Sequence, residues 1–366
     1  TAPATGDNLA MDSRLGIFGV VDTITLSSTK TRQNLETIRF YNRFMSTYLP
    51  FVASNNDLIG HISEAGLTLP SNDAQREGVV NMAKDNSNEF CVFLPTGLFL
   101  NGSPIPLSSD TIGGITIEIS LAPPSGLLYS TNASTYPNAD YSLSGVKLVC
   151  EVEDMDGEGR TKAKVDGFEY SSIASYYSTI NSTNAMLNYS LGKSRVRSVF
   201  TNFIQSSYLN NLAQNSLSTI NPITSTGAIA NVDQVVFTKG GVRFPESWNQ
   251  DTNYKQDVNV AVVDPQLCRF LMNSIHPFDS ITRTQISPIN TNKDWTSKDP
   301  EMEGGMCWGL GVSYDSLGSD GADFSRENWG MQITLGLTDD NPISAFVFVH
   351  AKNTLLFNGD GVQVIS

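Results

Sequence analysis

The chain has 366 residues, a mass of 39.8 kDa and a formal charge of −14, from 37 acidic and 23 basic residues. Only 16% of residues are charged, against about 25% in an average soluble domain, and Ser, Thr and Asn fill the difference. This balance excludes a coiled coil. The 18 Phe, 12 Tyr and 4 Trp exclude global disorder, and the acidic field excludes nucleic-acid binding through net charge.

Taken along the chain, a first strand is expected over residues 17–26 and a helix over about 32–48. A second strand is expected over 89–94. Residues 115–121 then alternate strictly, with Ile115, Ile117, Ile119 and Leu121 on one face and Thr116, Glu118 and Ser120 on the other. That period of two predicts a half-buried strand. Residues 146–152 repeat the pattern, and a strand is expected there too. From Ser194, the residues Val196, Val199, Phe200, Phe203 and Ile204 fall on one helical stripe and predict a helix. The densest basic cluster, Lys193-Ser194-Arg195-Val196-Arg197, lies at its start with only three charges.

The polar stretch that follows suits a linker over 215–231. Strands are expected at 235–238 and 258–263. Asp264-Pro265 is a good helix start, and Leu267, Phe270, Leu271 and Ile275 continue it at helical spacing. Further strands are expected at 306–313 and 331–337. Residues 345–349 are apolar on both faces, as in a strand covered on both sides. Residues 355–357 and 362–365 form a hairpin about Asn358-Gly359-Asp360-Gly361. No stretch of about 18 apolar residues exists to cross a membrane as a helix. The expected class is all-β with a few short helices. The expected units are 1–214, a linker at 215–231, and 232–366, each β unit long enough for an eight-stranded jelly roll.

Residues able to do chemistry are scattered. The three histidines, His61, His276 and His350, show no metal-ligand spacing, and a nucleophile elbow and a phosphate loop are absent from the sequence. Gly309-Leu310-Gly311 lacks a third glycine and reads as a packing or bulge feature in a strand. Asp154, Asp156 and Glu158 with Gly159 resemble the start of a calcium loop, but its twelfth position is Val165, so the residues read as a solvated acidic turn. No catalytic residue, cofactor or metal is assigned. Cys91, Cys150, Cys268 and Cys307 are expected as buried thiols. The sequons at Asn101, Asn132, Asn181 and Asn188 are expected by chance in so Asn-, Ser- and Thr-rich a chain. Trp295 and Met302, apolar in a polar loop, are candidate interface residues.

Several stretches together resemble a known family. They are Phe93-Leu94-Pro95, Ile105-Pro106-Leu107, residues 114–121, Leu127-Leu128-Tyr129, and Tyr141, Leu143, Val146 and Leu148 of residues 141–152. Residues 191–200 and 345–365 add to the likeness. The pattern is similar to the double jelly-roll major capsid proteins of tailless icosahedral DNA viruses, particularly polinton-like and virophage-like relatives. The resemblance implies two tandem eight-stranded antiparallel jelly rolls. It implies a homotrimer of pseudo-hexagonal outline that tiles an icosahedral virion shell. The partners it implies are further copies, and minor capsid or penton proteins or an internal membrane beneath the shell, with no direct contact to nucleic acid. The other reading of so β-rich a chain is a carbohydrate- or receptor-binding β-sandwich, a spike or adhesin.

Overall fold

A computed structural model describes residues 10–12, 15–52, 89–101, 104–109, 111–130, 138–150, 167–217, 229–244, 273–275, 309–314, 320–337, 342–358 and 361–366. Fourteen strands dominate these residues. In chain order they are β1 (Ala10–Met11), β2 (Val21–Ser28), β3 (Asn34–Arg39), β4 (Ile115–Leu121), β5 (Leu128–Tyr129), β6 (Gly167–Ile180) and β7 (Asn184–Ser190). They continue with β8 (Val196–Gln205), β9 (Ile229–Lys239), β10 (Val242–Arg243), β11 (Gly309–Ser313), β12 (Asn328–Leu337), β13 (Ile343–Asn358) and β14 (Gly361–Ile365). The helices α1 (Tyr41–Val52) and α2 (Pro124–Leu127) are short.

Strands β6 to β13 build one sandwich. One sheet runs β11-β8-β13-β6 and the other β10-β9-β12-β7, all by antiparallel pairing. Counted within the sandwich, the first, third, sixth and eighth strands share one sheet and the remaining four share the other. This is jelly-roll wiring. The period-two pattern sorts the side chains. Val199, Phe203, Val347 and Val349 point into the sandwich, where they meet the level of Val235, Phe237, Met331 and Ile333 from the facing sheet, all buried. β13 is 16 residues long, roughly 50 Å, and is the spine of its sheet.

The other face of β13 is also covered. Phe44 of α1 lies 5.6 Å from Phe348 and 6.1 Å from Phe200, ring centre to ring centre. Tyr41, Phe44, Met45, Tyr48 and Leu49 of α1 are buried at helical spacing, so the helix presents one apolar stripe to that sheet. The chain enters α1 through Phe40, a non-glycine residue at φ 57°, whose ring is held 5.0 Å from that of Phe346. The N-terminal sheet is β3-β2-β4, with a small β1-β5 ribbon beside it.

Expectation and structure agree at β4, within β9, β12 and β13, at the β13–β14 hairpin and at the two-sided burial of 345–349. Gly309 and Gly311 lie in β11, where a Cβ on Gly311 would fall 1.9 Å from Ser274 Oγ, so this glycine is a packing feature.

Elsewhere the structure corrects the sequence reading. The helix expected from Ser194 is the strand β8. Its apolar residues face both a helix and a facing sheet, and burial on two sides copies a helical stripe in the sequence. The helix expected over 32–48 starts only at Tyr41, after the strand β3. Residues 16–20 form a 3-10 turn before β2. Residues 89–94 and 146–150 have no ladder, because none of the described strands lies alongside to pair with them. Cys91 and Cys150 are exposed thiols, since both sit in those unpaired stretches. The ladders also reach across residues 215–231: β7 and β8 pair with β11, β12 and β13. Of the helix expected after Asp264, only residues 273–275 are described, and they are helical. The strand expected at 258–263, and Cys268 and Cys307, lie outside the described residues.

Candidate assembly surface

The residues read for chemistry do not converge. His350 lies on β13, fully buried, and burial together with the nearby Arg197 and Lys352 pushes its imidazole down to about 3. It is a neutral core group. Asp154, Asp156, Glu158, His61, His276, Trp295 and Met302 lie outside the described residues. Among the described residues, no cluster of three or more His, Cys, Asp or Glu could hold a metal ion.

What the structure does bring together is a joint between the N-terminal sheet and the sandwich. Glu36 of β3 is buried, and its carboxylate accepts three main-chain N–H groups, from Gly97 at 3.1 Å, Leu98 at 3.0 Å and Ile173 of β6 at 2.6 Å. A buried carboxylate needs such partners to offset its lost hydration. Burial still raises its pKa to about 7, although the three hydrogen bonds and the charge of Lys193 pull it down. Gly97 is the residue the joint requires. A Cβ there would lie 2.5 Å from Ser171 O and 2.7 Å from Glu36 Oε1. Beside it, Tyr170 Oη donates to Leu35 O at 2.6 Å, and Asn353 donates to Tyr170 Oη at 3.3 Å.

A second joint ties α1 to β8. The Asn202 amide donates to Arg43 O at 2.7 Å and to Thr47 Oγ1 at 2.9 Å. The buried Arg43 guanidinium lies 5.1 Å over the Phe346 ring; burial lowers its pKa to about 9 against the opposing pull of Asp12 and Asp22. Together these contacts hold the N-terminal sheet against the sandwich by its β3 side. They leave β4 as the far edge.

That edge is where apolar surface meets water. Ile117 and Ile119 share a face with Leu26 and Ile24 of β2, both buried, but cover fades along the strand until Ile119 and Leu121 are 43% and 46% exposed. Beyond Tyr141, which donates its hydroxyl to Ala122 O, residues 142–150 are all exposed. Val146, Leu148 and Val149 stand 77%, 64% and 90% exposed. Isolated exposed aliphatics are ordinary, but a run of them, in a chain that also has a sheet edge pairing with none of the described strands, is surface of the kind interfaces use.

No protein-family model and no curated protein matches the sequence. Solved structures do match in fold. The Faustovirus major capsid protein superposes with a TM-score of 0.56 at 9% identity, over 97% of this chain and 74% of its own. A quasi-atomic model of the PBCV-1 virus capsid superposes with a TM-score of 0.52 at 13% identity, over 98% of this chain and 87% of its own. The chain therefore has the all-β double jelly-roll fold of these proteins over nearly its whole length.

Proposed function

We propose that this chain is a major capsid protein, a structural subunit that trimerises into pseudo-hexagonal capsomers and tiles the icosahedral shell of a virion. The observation that carries the reading is the fold, shared over nearly the whole chain with viral capsid proteins. The exposed aliphatic run supports it. Burying a side chain such as Val146 or Leu148 contributes about 1.5–3 kcal/mol, and a lone subunit forgoes that gain. On this reading the protein works through contacts between copies and performs no catalysis. Its neighbours in the virion are further copies, with minor capsid or penton proteins or a membrane beneath. The formal charge of −14 suits a shell that does not hold the genome directly. We place the boundary between the two jelly rolls just before Gly167, where the complete eight-strand sandwich starts.

Light scattering on the purified protein tests the reading. A mass near three chains of 39.8 kDa is expected. A monomer that persists at high concentration overturns it.

A further inference from the structure

The free edge of β4 and the exposed run 142–150 have matching needs. β4 pairs with β2 on one side, and among the described residues nothing pairs on the other. Its outer N–H and C=O groups form an open template for another strand. Residues 142–150 form no main-chain hydrogen bond with any described residue. They nevertheless carry the alternation of a strand, with Val146, Leu148 and Cys150 on one side and Lys147 and Val149 on the other.

We infer that residues 144–150 of one copy add as a strand to the free edge of β4 in a second copy, antiparallel, with Lys147 opposite Glu118. The inference rests on the capsid reading and names the contact that joins copies. Its register follows from chemistry. Lys147 is the only charged residue in 144–150, and Glu118 is the only charged residue of β4; both are exposed. Opposite charges facing each other across two strands stabilise the pair, and like charges there oppose it. Fixing that pair antiparallel sets Val146 against Ile119, Leu148 against Ile117 and Cys150 against Ile115. The exposed Ile119 and the half-buried Ile117 and Ile115 then meet Val146, Leu148 and Cys150, and Leu121 falls opposite Ser144 at the end of the pairing. Val149 falls opposite Thr116. Antiparallel pairing is the more stable arrangement per residue, and it is how β4 already meets β2. The mode is strand addition, in which main-chain bonds supply affinity and alternate side chains supply register.

Cysteine cross-linking between copies tests this. All four native cysteines are replaced by Ser, and Glu118→Cys and Lys147→Cys are made in separate chains. Directly opposite residues bring their Cβ atoms within disulfide reach. On mixing and mild oxidation, a covalent dimer at twice the chain mass is expected, and neither variant alone should give it. Thr116→Cys mixed with Val149→Cys should cross-link in the same way, because the antiparallel register pairs them and a parallel one does not. The charge reversal Lys147→Glu should reduce assembly, and adding Glu118→Lys should restore it. Light scattering on the same samples separates this contact from the capsid reading. Trimers or shells that form without either cross-link overturn the inference and leave the reading standing. A third chain carrying both Glu118→Cys and Lys147→Cys that closes only an internal disulfide, with no dimer from the mixed chains, also overturns it, because the run would then cover its own β4. Monomers at every concentration overturn both.

Discussion

The carboxylate of Glu36 accepts the main-chain N–H of Ile173 at 2.6 Å, although 137 residues separate them in the chain. This bond, with those to Gly97 and Leu98, anchors the N-terminal sheet to the first strand of the sandwich. It places a titratable group with a folded pKa of about 7 in a buried joint.

The first consequence is a pH dependence. The folded pKa lies above the ordinary value of 4.5, so the folded protein holds the proton more tightly than the unfolded chain. Stability from this source is complete below about pH 4.5 and is lost as pH rises through 7. The loss is on the order of 3 kcal/mol. With His350, whose titration has the opposite sign, replaced by Gln, melting temperatures should fall with this slope across pH 4.5 to 8. Glu36→Gln should flatten it, and an unchanged slope would exclude Glu36 as its source.

His350 acts in the opposite direction. Its folded pKa of about 3 lies below the ordinary 6.5, so the stability it contributes is present above pH 6.5 and is lost as pH falls toward 3. His350→Gln should remove that acid-side loss, which in the native protein opposes the Glu36 slope between pH 4.5 and 6.5. Between pH 4 and pH 7, denaturant midpoints should rise with pH in Glu36→Gln and fall with pH in His350→Gln, which separates the two residues.

Gly97→Ala tests the geometry of the joint. A methyl group 2.5 Å from Ser171 O forces the main chain apart. A loss of about 1–3 kcal/mol is expected from such overpacking, read as a lowered urea midpoint. An unchanged midpoint would mean that the joint is open.

Much of this architecture was legible in the sequence, and the rest was hidden for identifiable reasons. β4 and β12 declare themselves through alternation, and β13 through its apolar core. β8 does not, because covering both of its faces erases the alternation and leaves a false helical stripe at Val196, Val199, Phe200, Phe203 and Ile204. β6 and β7 are rich in Ser, Tyr and Asn and give no hydrophobic signal. The polar stretch after Gln214 looks like a break between domains, yet it joins two strands of one sandwich. The Glu36 joint has no local signature at all, since Gly97 and Ile173 come from distant segments. Unit length alone allows two jelly rolls, and only the family likeness points to them, because the strands of the N-terminal half do not declare themselves one by one.

Phe44 tests whether the N-terminal half and the sandwich melt as one body. It is fully buried against Phe200 and Phe348. Phe44→Ala should cost about 3–5 kcal/mol. The calorimetric transition should shift to lower temperature as a single peak, whereas a split into two peaks would show that α1 does not couple the halves.

The exposed thiols give a reading of assembly. Cys91 and Cys150 should both react with a water-soluble maleimide in the native subunit. Cys150, within the proposed added strand, should lose that reactivity once copies assemble. Equal labelling of Cys150 before and after assembly would place the strand elsewhere.

The most direct measurement is electron microscopy of the purified protein, concentrated until association is complete. Three-chain capsomers of hexagonal outline, packed into sheets or closed shells, are the expected image. Dispersed single-chain particles at every concentration would contradict the account.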